Sequence, residues 1–230
     1  METNRHTDQK IRVLITGTTG MVGEGVLYEC LRHPQVEAVL VINRKSCGYS
    51  DPKLKEILHS DFFDLSPIAD QLSGYNACFF CLGVSSVGMA PDDYYKMTYT
   101  LTLHVAETLS TRNRDMDFCY VSGGGTDGSE KGKTRWARVK GKTENDLVKL
   151  PFGQVFAFRP GFIKPTPGLK YTHRFYRYIG WLYPIGRTLY PNGFCTLREL
   201  GLAMIHSFTR GYDKNILEGK DIIALAKESI

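Results

Sequence analysis

The sequence predicts an α/β fold: a doubly wound parallel sheet with helices on both faces and a small helical cap near the carboxyl end. Two observations carry this prediction. Short apolar runs rich in β-branched residues alternate along the chain with segments of helical spacing. These runs are continuously apolar, which is typical of parallel strands buried on both faces. With 230 residues, 42% of them hydrophobic, the chain is long enough for a single domain over 1–230, with the cap at 166–212.

The first half of the chain contains four of the predicted strands. They are "IRVLIT" (11–16), "VEAVLVIN" (36–43), "EILHSD" (56–61) and "NACFFCLG" (76–83). Helical spacing over 21–33 follows the first strand, and a short helix is predicted at "SPIADQLSG" before the fourth.

The second half continues the alternation. A long helix opens at Pro91 and runs to about Leu109, and a second helix is predicted over 134–149. The strands "MDFCYVSGGG" and "QVFAFRPG" follow these two helices. Thr196 and Glu199 form the pattern of a capping box at the start of a further helix. "ILEGKDIIALAKE" then predicts a closing strand and a terminal helix.

Charge and hydropathy exclude several classes of protein. The formal net charge of +5 comes mostly from a cluster of cations between Lys131 and Lys142, which suits a small anionic ligand better than a nucleic acid. No apolar run approaches the roughly 20 residues of a membrane-spanning helix. The polar start "METNRHTDQK" does not resemble a secretory signal. We therefore expect a cytoplasmic protein without an integral membrane segment.

The cysteines and histidines do not predict a metal site. The cysteines lie mostly in apolar stretches, where a free thiol behaves as a small hydrophobe. Cys78 and Cys81 share a predicted strand, in which positions three apart face opposite sides. The histidines are scattered, without pairs at helical spacing. We expect no metal.

The turn after the first strand is the most informative motif. "TGTTGMVG" places Gly17, Gly20 and Gly23 between a strand and a helix, within a strand–helix–strand unit. In this context the first glycine permits a tight turn, the second lets the backbone approach a pyrophosphate, and the third lets the helix pack on the sheet. The helix amino terminus would offer its free N–H groups to the phosphates. The pattern predicts dinucleotide binding by a Rossmann fold, the alternative being a turn without a ligand.

The end of the second strand indicates which dinucleotide. An acidic residue there would bind the ribose 2′-hydroxyl of NAD, but the chain has Asn43, Arg44 and Lys45. Two cations at this place favour the 2′-phosphate of NADP, and the arginine fork suits a phosphate better than the lysine does. We expect NADP(H), with NAD less favoured. The alternative is that both cations are solvated loop residues.

Seven ordered motifs resemble a known family. They are "LITGTTGMVGEGVL", "VINRK", "DFFDL", "FFCLGVSS", "YVSGGGTDGS", "RVKGKTENDL" and "FRPGFI". In this order and spacing the chain resembles the atypical short-chain dehydrogenases/reductases, in particular the Tat-interacting-protein type of NADP-binding proteins with its epimerase-like relatives. The resemblance covers about residues 11–165.

The resemblance implies a set of cofactor contacts. The pyrophosphate would lie on Gly17, Thr18, Thr19, Gly20, Met21, Val22 and Gly23, and the 2′-phosphate beside Asn43, Arg44 and Lys45. Asp61 and Phe62 would flank the adenine, Cys81, Leu82 and Gly83 would pass beneath the riboses, and Pro160, Gly161, Phe162 and Ile163 would cover the nicotinamide. Phe62 could equally be a core residue and Asp61 part of a turn.

The catalytic set is incomplete. Ser122 matches the serine that holds the substrate oxygen in such enzymes, and Lys140 matches the lysine that lowers the tyrosine pKa and contacts the ribose. Trp136 occupies the place of the tyrosine, and an indole N–H has no acid–base cycle near neutral pH. The lysine could also be a solvated helix residue, and the tryptophan a packing aromatic.

Three interpretations follow. Another group donates the proton, with Tyr94, Tyr95, Tyr99 or a water ordered by Ser122 as candidates. Alternatively the protein binds NADP(H) without turnover, as a sensor or a module that binds a protein partner. In the third, the chemistry needs no phenol. The favoured activity is hydride transfer to or from an unidentified small carbonyl or alcohol.

The aromatic segment 171–191 should contribute to substrate recognition. Its aromatic residues are interleaved with Arg174, Arg177 and Arg187. This composition suits a lid over a flat or anionic substrate, a protein contact surface or an interfacial membrane anchor. The alternative is a helical subdomain packed on the sheet. Pro184 and Pro191 interrupt any long amphipathic helix, which argues against membrane insertion.

Overall fold

The fold is built on a seven-stranded parallel sheet, in a computed structural model that describes residues 9–172 and 183–227. The strands are β1 (Ile11–Thr16), β2 (Val36–Asn43), β3 (Leu54–Leu58), β4 (Ala77–Phe80), β5 (Asp117–Val121), β6 (Val155–Arg159), β7 (Phe162–Lys164), β8 (Phe194–Thr196) and β9 (Ile216–Glu218). The main sheet has the order β3-β2-β1-β4-β5-β6-β9. The chain moves outward from β1 to β3 and then returns to the other side of β1, so a crevice opens between β1 and β4 at their carboxyl ends.

The helices connect these strands. They are α1 (Met21–Arg32), α2 (Pro91–Tyr95), α3 (Leu101–Arg112), α4 (Arg135–Leu147), α5 (Tyr183–Leu189), α6 (Leu197–Arg210) and α7 (Gly219–Ala226). A π-helical turn, Lys96–Thr100, joins α2 to α3, so the long helix predicted from Pro91 is continuous but not uniformly α-helical. Short 3₁₀ helices occupy Ser66–Leu72 and Pro191–Gly193.

Both faces of the sheet are buried, as the continuous apolar runs predict. Along β1, Val13 and Ile15 pack in one core cluster with α1, α6 and α7. Leu14, between them, points to the other face and packs with α3 and the 3₁₀ helix Ser66–Leu72. All three side chains are fully buried. The predicted doubly wound parallel sheet is confirmed.

The carboxyl-terminal part differs in one respect from the prediction. β7 and β8 form a separate two-stranded parallel sheet that pairs Phe162 with Phe194 and Lys164 with Thr196. Each strand has only three residues, and nothing in either segment marks its partner about thirty positions away. The predicted capping box is present: the Glu199 N–H donates to Thr196 Oγ1 at 3.0 Å and the Thr196 N–H to Glu199 Oε2 at 2.8 Å.

Helix α6, which falls within the predicted cap, belongs to the main helical layer. Leu197, Leu200 and Met204 are fully buried in the core cluster of α1. A Cβ atom on Gly25 of α1 would overlap the Leu197 side chain, so the two helices are in close contact. Residues 173–182 of the aromatic segment lie outside the described residues. Within the described ranges, no helix is both long and apolar enough to cross a membrane.

Candidate nucleotide-binding crevice

The turn between β1 and α1 needs glycine at two of its three glycine positions. Gly17 has φ +76°, and a Cβ there would lie 2.8 Å from the backbone carbonyl of Cys81 at the end of β4. A Cβ on Gly23 would overlap the Gly17 carbonyl, so helix and turn are in contact there. At Gly20 the closest atom to an added Cβ is the Gly17 oxygen at 3.5 Å, and no backbone crowds the position. Gly20 is therefore the point at which a ligand can approach the backbone.

The amino end of α1 faces this open position. The Gly20 N–H bonds the Gly17 carbonyl at 3.0 Å, and the first bond of the helix runs from the Glu24 N–H to the Gly20 carbonyl at 2.9 Å. No side-chain cap is made at Gly20. The amides of Met21, Val22 and Gly23 thus lie in a first turn that has no intrahelical acceptors. Free amides and the helix dipole together suit a phosphate, and the turn fits a dinucleotide.

A buried carboxylate lies immediately behind the turn. Glu24 is fully buried and accepts hydrogen bonds from the Tyr49 hydroxyl and the Lys170 and Tyr171 amides, each at 2.7 Å. It therefore ties the loop after β2 and the start of the 171–191 segment to α1. Sequence reasoning missed this residue, although a lone acidic residue on the apolar face of a helix is a recognisable signal.

Thr18 and Asn43, both predicted cofactor contacts, are bonded to each other. Asn43 Nδ2 lies 2.7 Å from Thr18 Oγ1, and it also donates to Glu56 at 3.0 Å. Both side chains are buried. Their side chains hold the glycine turn against β2, so any contact they make with a ligand would come through the backbone. Arg44, by contrast, is exposed at the end of this strand, as is Lys45.

A cavity of about 130 Å³ brings together five of the predicted adenosine-binding residues. Its lining includes Arg44, Asp61, Phe62, Leu82 and Gly83, together with Ser60, Phe63, Val84, Met97 and Leu101. Asp61 is exposed, and its Oδ1 accepts the Phe63 N–H at 2.8 Å, so it shapes the turn. Phe62 is only 5% exposed and is also a core residue. For Asp61 and Phe62 the local structural role and the position in the cavity coexist.

At the carboxyl end of β5, the Ser122 hydroxyl is bonded within the protein interior. It donates to Glu144 Oε1 at 2.5 Å and to the Phe158 carbonyl at 3.2 Å, and the residue is 3% exposed. Glu144 also receives the guanidinium of Arg159 at 3.0 and 2.5 Å, and Arg159 reaches Glu218 at 3.3 Å. Ser122 thus belongs to a buried network of hydrogen bonds and ionic contacts, and its hydroxyl proton is engaged in that network.

Lys140, the predicted active-site lysine, lies beside the loop that follows β5. Its ammonium donates to the Ser122 carbonyl, and a Cβ on Gly123 would lie 3.9 Å from Nζ. Burial lowers the pKa of Lys140, while the Glu144 carboxylate opposes this shift. Trp136 packs over the glycine loop, with its ring 3.6 Å from a Cβ built on Gly125. Neither Gly123 nor Trp136 carries a hydroxyl group.

The three tyrosines that are alternative candidates for proton donation have different surroundings. The Tyr99 hydroxyl donates to Asp146 at 2.7 Å, and burial together with this bond raises its pKa. Tyr94 is 3% exposed, and burial raises its pKa. Tyr95 is on the surface with its ring 4.9 Å from that of Tyr99. The residues that line the adenosine cavity include none of these three tyrosines.

The residues predicted to cover the nicotinamide begin the small second sheet. The Pro160 carbonyl accepts the Gly124 N–H at 2.7 Å, which joins the loops after β5 and β6. Phe162 and Ile163 lie in β7, and the Phe162 ring is 5.6 Å from that of Phe194 in β8. A Cβ on Gly161 would overlap the Gly193 carbonyl. These residues are grouped at the carboxyl ends of the strands, where the fold places a ligand.

Comparisons with known proteins identify the family of this chain. A sequence model of the NAD dependent epimerase/dehydratase family matches residues 13–143, more than half of the chain. Protein HTATIP2 of Rattus norvegicus is 26% identical over 157 residues, which cover 67% of this chain and 64% of that protein, so the match spans less than two thirds of the relative's length. Protein FMP52, mitochondrial, of Saccharomyces cerevisiae is 25% identical over 150 residues, 64% of each chain.

Solved structures show the same fold. ADP-L-glycero-D-manno-heptose-6-epimerase of Helicobacter pylori superimposes with a TM-score of 0.65 at 14% identity, over 98% of this chain and 84% of that one. The Bordetella bronchiseptica enzyme WbmF, in complex with NAD+ and UDP, gives a TM-score of 0.63 at 16% identity, over 94% and 76%.

The expected cytoplasmic location is overturned by the curated relatives. Besides the yeast protein, protein fmp52-1 of Aspergillus terreus is named mitochondrial and is 26% identical over 159 residues, 67% of each chain. The expectation rested on the lack of apolar segments, which argues against a secretory signal. Mitochondrial import peptides are amphipathic and rich in arginine and serine, so hydropathy does not test for them.

The matched region contains β1 through most of α4, and with it the glycine turn, the adenosine cavity and Lys140. The chain belongs to the NAD dependent epimerase/dehydratase family and has a Rossmann-type fold.

Proposed function

We propose that this chain binds NADP(H) in the crevice at the carboxyl ends of β1, β2 and β4. The observation that carries the proposal is the adenosine cavity, in which Arg44 lies together with Asp61, Phe62, Leu82 and Gly83. Glycine amides at the start of α1 supply the phosphate site. Pro160, Gly161, Phe162 and Ile163 border the nicotinamide end, and Lys140 binds the ribose there.

The charges around β2 favour NADP over NAD. The acidic side chain bonded to Asn43, the last residue of β2, is Glu56 on β3, and its oxygens accept hydrogen bonds from Ser46 Oγ at 2.6 Å, the Cys47 N–H at 2.8 Å and Asn43 Nδ2 at 3.0 Å. These donors occupy the carboxylate, so it is not available to a ribose hydroxyl. The guanidinium of Arg44 is free to bind a 2′-phosphate with two parallel hydrogen bonds.

Calorimetric titration with NADPH and NADH tests this proposal. NADPH should bind more tightly, and Arg44→Ala should weaken NADPH binding by about tenfold to a hundredfold because a charge-assisted contact is lost, while NADH binding stays unchanged. Arg114→Ala is the matched control, since this exposed arginine precedes β5 at the opposite end of the sheet. Equal affinities for both nucleotides would contradict the preference for NADP, and a failure of both to bind would contradict the site itself.

The acid–base groups favour nucleotide binding without rapid turnover. The Ser122 hydroxyl donates its proton to a hydrogen bond with Glu144. Gly123, beside the Lys140 ammonium, has no side chain, and Trp136 stands where the related enzymes have a tyrosine. A protein with this arrangement serves as an NADP(H)-responsive binding module. In this proposal, nucleotide occupancy changes how the chain presents the loops around the crevice to a partner.

A second function, oxidoreduction of a small carbonyl or alcohol, is favoured by Lys140. Its half-buried ammonium and lowered pKa at the nicotinamide end resemble an active-site lysine. A bound nicotinamide would supply the hydride. NADPH oxidation with a panel of aldehydes and ketones tests this function. Here Trp136→Tyr should raise the rate by about 10²- to 10⁴-fold, the typical contribution of a positioned proton donor. If neither the parent protein nor Trp136→Tyr oxidised NADPH, the oxidoreductase function would be refuted and only the binding function would remain.

A further inference from the structure

A second concave region lies between the segment after β7 and helices α6 and α7. Its volume is about 570 Å³, within the roughly 300–1,000 Å³ of small-molecule sites. The floor is apolar: Pro165 and Pro167 come from the loop, Leu202 from α6, and Ile223 and Ala226 from α7. Leu202 and Ile223 pack on the core but are only partly buried. The groove shares no lining residue with the adenosine cavity.

The rim of this groove is cationic. Lys164, Arg198 and Lys227 line it, and all three are exposed. Within the part of the chain that the structure describes, none of them makes an ion pair. Glu199 also lines the groove, but Arg187 neutralises it through contacts at 2.5 and 2.7 Å. The groove therefore presents a net positive charge.

An adjoining cavity extends the positive surface. It has a volume of about 450 Å³, shares Thr166, Arg198 and Leu202 with the groove, and adds Arg32 from α1. The acidic residue there, Glu29, is 8% exposed. Burial raises its pKa, whereas Arg198 and Arg32 act in the opposite direction. The single carboxylate of Glu29 is thus accompanied by two guanidinium groups, those of Arg32 and Arg198, so the net charge of this cavity is positive.

We propose that this groove binds a small anionic amphiphile, with its carboxylate or phosphate head between Lys164, Arg198 and Lys227 and its alkyl chain along Leu202 and Ile223. The cations give the rim a positive potential that attracts an anionic head group, although the Lys164 ammonium also lies 5.1 Å from the centre of the Tyr183 ring. The partly exposed aliphatic side chains are stabilised when an alkyl chain covers them. The concave shape selects a single soluble molecule. A membrane surface would instead require the cations and aliphatic residues to project from a convex face.

Titration of the full chain with monomeric alkyl carboxylates tests the proposal. From octanoate to decanoate and dodecanoate, the affinity should rise about fourfold for each CH₂ that is buried. Decanol and decylamine should bind far more weakly than decanoate because they lack the anionic head. Decyl phosphate should bind at least as well as decanoate.

Variants separate the two parts of the site. Arg198→Gln should weaken decanoate binding by about tenfold, and Leu202→Asn should flatten the dependence on chain length. Lys131→Gln removes an exposed cation that does not line the groove and should change neither. NADPH affinity, measured on the same proteins, should be unaffected by all three, which separates this site from the crevice.

Several results would overturn the proposal: equal affinity for decylamine and decanoate, no dependence on chain length, or unchanged binding in Arg198→Gln. Vesicles of phosphatidylcholine with and without phosphatidylglycerol distinguish the lipid source. Binding to the anionic vesicles without binding of monomeric carboxylates would assign the cations to a membrane surface and refute a small-molecule site.

Discussion

The Glu144 carboxylate is the centre of a buried group of hydrogen bonds and ionic contacts. It is 4% exposed and is bonded to both Arg159 and Ser122. A buried charge is costly unless its remaining lone pairs are satisfied, and here a two-point guanidinium contact and a hydroxyl satisfy them. This requirement explains why the hydroxyl of Ser122 turns inward. These bonds connect the end of β5 to α4 and β6.

Removing the charge of Glu144 should therefore reduce the free energy of unfolding substantially. Glu144→Gln leaves Arg159 with only the half-buried Glu218 as an ionic partner, and we expect a loss of about 3–5 kcal/mol in the free energy of unfolding. Urea denaturation measures it. Lys149→Gln, which breaks an ion pair whose lysine is 71% exposed, should cost below about 1 kcal/mol. Similar losses of unfolding free energy in Glu144→Gln and Lys149→Gln would show that the buried network stabilises the fold no more than an exposed ion pair does.

Ser122→Ala distinguishes a structural serine from a catalytic one. The lost hydrogen bond to Glu144 should reduce the free energy of unfolding by about 1–2 kcal/mol. NADPH affinity should stay the same, because the hydroxyl is buried and already donates to Glu144. If the variant were as stable as the parent but lost NADPH oxidation, the hydroxyl would have a catalytic role after all.

At the scale of single elements, substitutions in the glycine turn distinguish effects on stability from effects on NADPH binding. Gly20→Ala should leave the melting temperature nearly unchanged, since its Cβ would meet only the Gly17 oxygen at 3.5 Å. The same methyl group would occupy the space of the pyrophosphate, so NADPH affinity should fall by about a hundredfold or more. Gly23→Ala, which forces the methyl into the Gly17 carbonyl, should lower both stability and affinity. Normal NADPH binding by Gly20→Ala would place the phosphates elsewhere.

Helix α6 depends on the Glu199 carboxylate at its amino end. Although burial alone would raise the pKa of Glu199, the hydrogen bonds from Arg187 and Thr196 hold it below the usual value. Since the folded-state pKa is lowered, the stabilisation is complete above the ordinary glutamate pKa of about 4.3 and is lost as the pH falls through the folded-state value.

Glu199→Gln should therefore cost about 1–2 kcal/mol at neutral pH, and its difference from the parent should shrink at an acidic pH below the folded-state pKa, where the parent carboxylate is protonated. Chemical denaturation at both pH values measures the difference. Glu37→Gln, at an exposed ion pair with Arg12, serves as the control and should cost below about 1 kcal/mol. A difference that stayed constant with pH would contradict the ionic contribution of Glu199.

On the scale of the whole molecule, the crevice joins parts of the chain that are distant in sequence. The glycine turn rests on Cys81, the adenosine cavity extends from Arg44 to Leu101, and Glu24 connects α1 to Tyr49 and Lys170. A ligand that bridges these segments should stabilise the entire fold, because it binds only when they are assembled.

NADPH at about 100 times its Kd should add about 2.7 kcal/mol to the free energy of unfolding. For a chain of this size that corresponds to a rise of roughly 5–10 °C in the melting temperature. Thermal denaturation with and without NADPH measures it, and Arg44→Ala should reduce the shift at the same NADPH concentration. No shift in the parent protein would contradict binding to the folded state.

Local patterns in the sequence determined most of the fold. The bounds of β1 and β2, Ile11–Thr16 and Val36–Asn43, follow from continuous apolar runs, and the capping box of α6 from Thr196 and Glu199. The place of the crevice follows from the glycine turn. Each of these depends on residues within one element or one turn, where periodicity and backbone conformation are encoded locally.

Only the tertiary structure decided what the side chains of the crevice do. Nothing near Ser122 in sequence indicates that its hydroxyl bonds Glu144, and the pairing of β7 with β8 joins segments about thirty residues apart. The roles of Glu24 and the cationic groove likewise depend on contacts between distant segments. The physical reason is that hydrogen-bond direction, burial and charge pairing are properties of neighbours in space, and these neighbours exist only after the sheet has brought the loops together.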